Sequence, residues 1–153
     1  MTLQDYFVHG WSVFPVKGGH GVDYADSKTP LVPWEEYQKR KPTEQEISLW
    51  MKKYPKMSVG AVTGPINGFL VVDIDGNDWV KAFPNADFGM TWQARSKRGC
   101  HYFYKWESWM EGITSTQSSV GGVKGFDIRG KGGYVVVPNV NEPARSWTIA
   151  PWK

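Results

Sequence analysis

The spacing of apolar residues divides the chain into short elements. Leu3 to His9 predicts a short helix stopped by Gly10, a residue suited to the position just past a helix end. "WSVFPV", Trp11 to Val16, is an apolar run of strand length. Lys17 to Trp34 is rich in Gly, Pro, Asp and Ser and predicts a long loop, a length usually kept for function or mobility. Thr43 followed three residues later by Glu46 forms a capping box, and Ile47, Trp50 and Met51 fall on one helical face. Lys52 and Lys53 close the last turn of that helix and Pro55 stops it.

"SVGAVTGPINGFLVVDID" predicts a strand, a Gly- and Pro-bearing turn, and a second strand. "WVKAF" has the length of a short helix, and "TWQARS" and "CHYFYKW" predict strands. "GFDIRG" and "YVVVPNV" predict strands paired around "KGG", and "SWTIAPW" a last strand. Mixed helices and strands with tight turns point to an α+β fold, with a mixed, largely antiparallel sheet or sheets and flanking helices. At 153 residues, a single domain over residues 1–153 is expected.

Composition narrows this little. Apolar content of 41% fits a globular chain, and no window reaches the roughly 18 apolar residues of a membrane span. The first residues lack a basic segment followed by an apolar one, so no signal peptide is expected. A lone cysteine, Cys100, excludes an internal disulfide and a paired-cysteine metal site, and a cytoplasmic setting is expected. A net charge of +3 permits nucleic-acid binding without arguing for it. The 9 Trp, 7 Tyr and 7 Phe are more than usual; most belong in a core, and a few could stack on bases.

The chemistry centres on "FLVVDIDGND". A strand-like apolar run ends in Asp73 and Asp75, which a period of two places on one side. Adjacent carboxylates repel and lose solvation on burial. A hard cation such as Mg²⁺ or Mn²⁺ would explain them, since it takes oxygen ligands from carboxylates and phosphates. A strand end running into an Asp- and Asn-rich turn would explain them as well.

"RSKRGCHYFY" sets His101 at a strand start after Ser96, Lys97 and Arg98, with His101 and Phe103 on one face and Cys100, Tyr102 and Tyr104 on the other. The cations and glycine suit an anion pocket; a solvated turn and a structural histidine are the plain alternative. In "GFDIRGKGG", Asp127 and Arg129 share a face, as an ion pair or as a third metal-binding carboxylate with a phosphate contact. Three carboxylates, a histidine and several cations together suit phosphoryl or nucleotidyl transfer with two divalent ions.

In order and approximate spacing these segments resemble the primase–polymerase (prim-pol) catalytic domain of the archaeo-eukaryotic primase superfamily, found in phages, plasmids and mobile elements. "GWSVFPV" resembles its opening strand, "KTPLVPW" its Lys-x-Pro loop, and "TEQEISLWMKKYPKMSVGAVTG" its helix and following strand. "FLVVDIDG", "SKRGCHYFY" and "GFDIRGKGGYVVVP" are similar to its three catalytic motifs. The position two before His101, often Ser in the family, is Gly99, so Ser96, Lys97 or Arg98 would have to supply that phosphate contact.

The resemblance implies an archaeo-eukaryotic primase core that includes an RRM-like unit. It further implies a template-dependent DNA primase/polymerase with two Mg²⁺ or Mn²⁺ ions held by Asp73, Asp75 and Asp127. His101, with Ser96, Lys97, Arg98 and Arg129, would bind the nucleoside triphosphate. Single-stranded DNA template or primer–template is the implied partner, and the basic, Gly-rich segments carrying Lys28, Lys124 and Lys131 are the expected template contacts. Family chains often continue into a helical domain and a helicase, which a longer parent chain would carry. A metal-dependent nuclease and a non-catalytic single-strand binder are the competing readings, and no membrane partner is expected.

Overall fold

The computed structural model describes residues 1–18, 28–113 and 119–152. It is α+β, with two antiparallel sheets. Helix α1 (Leu3–Val8) leads into strand β1 (Val13–Val16), and α2 (Glu44–Lys53) into β2 (Ser58–Thr63). Then follow β3 (Phe69–Asp75), α3 (Asp78–Ala82), β4 (Trp92–Arg95) and β5 (Gly99–Lys105). The chain ends with β6 (Phe126–Arg129), β7 (Gly133–Val137) and β8 (Ser146–Ile149). Both longer helices begin with complete capping boxes, Thr2 with Asp5 and Thr43 with Glu46. Gly10 follows α1 at φ 85°, the left-handed conformation that glycine adopts at no steric cost.

One sheet runs β1-β2-β7 and the other β6-β3-β5-β4-β8. All six residues of β2 are buried. One apolar cluster takes Phe14, Val59 and Val135 from the first sheet, Phe69, Val71 and Phe103 from the second, and Tyr6 and Ile47 from the helices. The chain crosses between sheets three times, from β2 to β3, from β6 to β7 and from β7 to β8.

The second crossing corrects the expected pairing of "GFDIRG" with "YVVVPNV": β6 pairs with β3, and β7 with β2. A hairpin would have left "RGKGG" in solvent. Instead Gly130 is buried and the segment is tied down, with Thr63 Oγ1 donating to the Gly130 carbonyl at 2.6 Å and Lys131 N–H to the Ile113 carbonyl at 2.9 Å, while Lys131 and Gly132 stay exposed. Gly130 is needed there, because a Cβ would stand 2.3 Å from the Ile113 oxygen.

Candidate active site at the junction of the two sheets

β3 is flanked on both sides, and its register sets the site. Asp73 lies opposite His101 of β5 and opposite Asp127 of β6. Directly opposed residues point to the same face of a sheet, so Asp127, Asp73 and His101 form a row across three strands. The shared face of Asp73 and Asp75, read from their spacing, places Asp75 one step nearer the strand end, opposite Gly99.

The row is not a plain cluster of like charges. Arg129 Nη2 stands 3.7 Å from Asp73 Oδ2 and 3.6 Å from Asp127 Oδ2, bridging the two carboxylates. His101 Nε2 approaches Asp73 Oδ1 at 3.3 Å. Asp73 is only 5% exposed, and burial alone would raise its carboxyl. Close approach of His101, followed by Arg129 and Lys28, outweighs burial and holds it below the ordinary carboxylate value. The strain expected of the paired aspartates is thus offset by cations at Asp73.

The His101 contact is close enough for charge attraction but is not aligned as a hydrogen bond. Asp73 Oδ1 is therefore buried without a hydrogen-bond partner. Such an atom normally costs about 1–3 kcal/mol, and a hard cation satisfies it. Asp127 Oδ1 accepts from the Ser119 backbone N–H at 2.8 Å. Among the described residues no three His, Cys, Asp or Glu side chains form a ready-made metal cage. The all-oxygen donor set fits a Mg²⁺-type ion that takes one or two carboxylates and completes its shell with substrate phosphate and water.

Two cavities meet this row. One, about 210 Å³, lies between the sheets and is lined by Asp73 and His101 together with Lys28, Arg129 and Arg145. Trp34 and Tyr134 supply apolar surface in it. The other is a more open hollow of about 420 Å³, lined by Asp75 and Asp127 with Arg98 and Lys124. Asp73 thus faces one cavity while Asp75 and Asp127 face the other, and Arg129 links them.

The expected phosphate loop divides. Lys97 Nζ lies 3.5 Å from Glu142 Oε1, and Arg98 lines the open hollow. Ser96 is buried, its Oγ has no hydrogen-bond partner, and it lines neither cavity. The three expected template lysines also part company. Lys28 lies in the cavity of His101, Lys124 in the open hollow, and Lys131 pairs with Glu111 at 2.8 Å outside both. Half of the loop from Lys17 to Trp34, residues 19–27, lies outside the described residues. Arg145, 5% exposed, is a site cation that the sequence reading missed. It stands in "NEPARSW", which reads as an ordinary polar connection.

The fold and site define a class: an α+β protein with an acid–histidine–arginine row set between a cationic cavity and an acidic hollow. The family model "Bifunctional DNA primase/polymerase, N-terminal" matches residues 3–150, nearly the whole chain, and the protein belongs to that family. A search of curated proteins finds no match. Membership implies the primase/polymerase class of activity, with nucleotide and DNA substrates. No helix among the described residues is long and apolar enough to cross a membrane.

Proposed function

We propose that the chain is a template-dependent nucleotidyltransferase: a 3′-hydroxyl attacks the α-phosphate of an incoming nucleoside triphosphate, and pyrophosphate leaves. The observation that carries this reading is the Asp127–Asp73–His101 row, with its buried, unsatisfied Asp73 oxygen, in a chain of the primase/polymerase family. Two Mg²⁺ or Mn²⁺ ions at Asp73, Asp75 and Asp127 would lower the pKa of the attacking hydroxyl and neutralise the departing pyrophosphate.

The protein's own groups do the rest. Lys28, Arg129 and Arg145, beside His101, give the inter-sheet cavity a positive lining suited to a polyphosphate. Arg129, lying against both Asp73 and Asp127, orients the carboxylates while the site is empty of substrate. Arg98 and Lys124, beside Asp75 and Asp127, are placed for the backbone of a primer or template strand.

The test is primer extension with ribo- and deoxyribonucleotides, each with Mg²⁺ or Mn²⁺, using the parent and Asp75→Ala. Metal-dependent extension by the parent and none by the variant is expected. Near-normal extension by Asp75→Ala would sink the assignment. Cleavage of labelled DNA without triphosphate would favour a nuclease, and metal-independent single-strand binding without extension a binding module.

A further inference from the structure

Behind the inter-sheet cavity lies a buried polar cluster in which Glu142 is the hub. Glu142 is 3% exposed and Arg145 5%. Arg145 Nε donates to Glu142 Oε2 at 3.0 Å, and Ser58 Oγ donates to the same oxygen. Asn139 Nδ2 holds Ser58 Oγ at 2.8 Å. Lys97 approaches the other oxygen, Oε1, at 3.5 Å, and that oxygen accepts no hydrogen bond. Arg145 Nη1 reaches the Val136 carbonyl at 3.4 Å. Nη2 has no partner among the described residues, on a side chain that lines the cavity of Asp73 and His101.

We propose that Glu142 is a positioning residue for nucleotide binding: it fixes the Arg145 guanidinium so that Nη2 meets the polyphosphate of a nucleoside triphosphate. The inference rests on the transferase reading and adds to it a residue that touches no substrate. A guanidinium buried this deeply needs a compensating charge, and Glu142 supplies it. The hub also ties β2, the β4–β5 turn and the segment after β7 to one point, so the cation is held by both sheets.

The proposal predicts a sign opposite to that of simple charge. Glu142 is an anion close behind an anion-binding cavity. If only its field mattered, Glu142→Gln would tighten triphosphate binding. If it positions Arg145, the same change loosens binding, because a neutral amide oxygen accepts from Nε more weakly than a carboxylate and no longer compensates the buried guanidinium.

The test measures Kd for a deoxynucleoside triphosphate with Mg²⁺ by calorimetry, and KM and kcat by primer extension. It uses the parent, Glu142→Gln, Arg145→Lys and the double variant. Glu142→Gln is expected to raise Kd and KM about tenfold, the loss typical of a hydrogen bond to a charged group, with kcat within about twofold of the parent. Arg145→Lys keeps the charge but loses the fork, and should weaken binding by a similar factor. The double variant should be no worse than the weaker single one, because both act through one contact. Unchanged or tighter binding by Glu142→Gln, or additive losses in the double variant, overturns the inference. If Glu142→Gln does not fold, unchanged binding by Arg145→Lys overturns it instead. No triphosphate binding by the parent refutes the transferase reading, and the inference falls with it.

Discussion

Substituting Gly99 by Ala tests how tightly the acidic strand is gripped. Gly99 lies opposite Asp75 in the β3–β5 ladder. A Cβ there would stand 1.7 Å from the Ile74 carbonyl oxygen, 2.7 Å from its carbon and 3.1 Å from Asp75 Cα. All three are backbone atoms, so no rotamer change relieves the clash. Close carbon–oxygen contacts settle near 3.3–3.6 Å, so the strands must separate by about 1.5 Å or more. β3 has nowhere to go on its other side. Asp75 N–H donates to the Gly125 carbonyl at 2.8 Å, and a Cβ on Gly125 would lie only 2.1 Å from the Asp75 oxygen. Overpacking of this kind costs about 1–3 kcal/mol, and each broken backbone bond about 1 kcal/mol more. A loss of about 3 kcal/mol would lower Tm by roughly 6–12 °C in a chain of this size. Shifting Asp75 by an ångström should also reduce incorporation by about 100-fold. Thermal unfolding and primer extension check this. A Gly99→Ala variant that melts within about 2 °C of the parent and extends primers normally would refute the reasoning.

Other outcomes follow from the same geometry. His101→Ala should weaken triphosphate binding roughly tenfold or more while leaving single-stranded DNA affinity unchanged, read by calorimetry and strand-binding titration; equal triphosphate affinity would make His101 merely structural. Lys28→Gln should weaken triphosphate binding, whereas Lys124→Gln should weaken template binding and flatten its log K against log salt slope by about 0.7; Lys131→Gln, already paired with Glu111, should change little. Glu46, gripped first by Arg40, then by Tyr37 and the Thr43 N–H, is lowered from 4.5 to about 2 despite the opposing effect of burial. A depressed carboxyl stabilises the fold above its unfolded value, so this contribution is complete above about 4.5 and is lost as pH falls through about 2. The group is partly exposed, so the loss should be on the order of 1 kcal/mol. Melting curves across that range should fall less steeply for Glu46→Gln, and identical slopes would rule the contribution out.

What the sequence determined by itself is local. The capping pair Thr43–Glu46, the apolar stripe of Ile47 and Trp50, and the period-two spacing of Asp73 with Asp75 depend on neighbours a few residues away, and each is present in the fold. The side of β5 that carries His101 was legible for the same reason. The tertiary structure alone decided which strands meet. "GFDIRG" and "YVVVPNV" read as a hairpin because they are adjacent in the chain, yet the bonds made by Gly130 and Lys131 send them to different sheets. That choice sets Asp127 opposite Asp73 and opens the cavity between the sheets. It also decided the fate of the charges. Lys97, expected beside phosphate, also stands against Glu142, and Arg145, which the sequence reading passed over, lines the inter-sheet cavity. A charge's role depends on what lies within a few ångströms of it, and Glu142 beside Lys97, like Asp73 and His101 around the cavity of Arg145, stands far from it in the sequence.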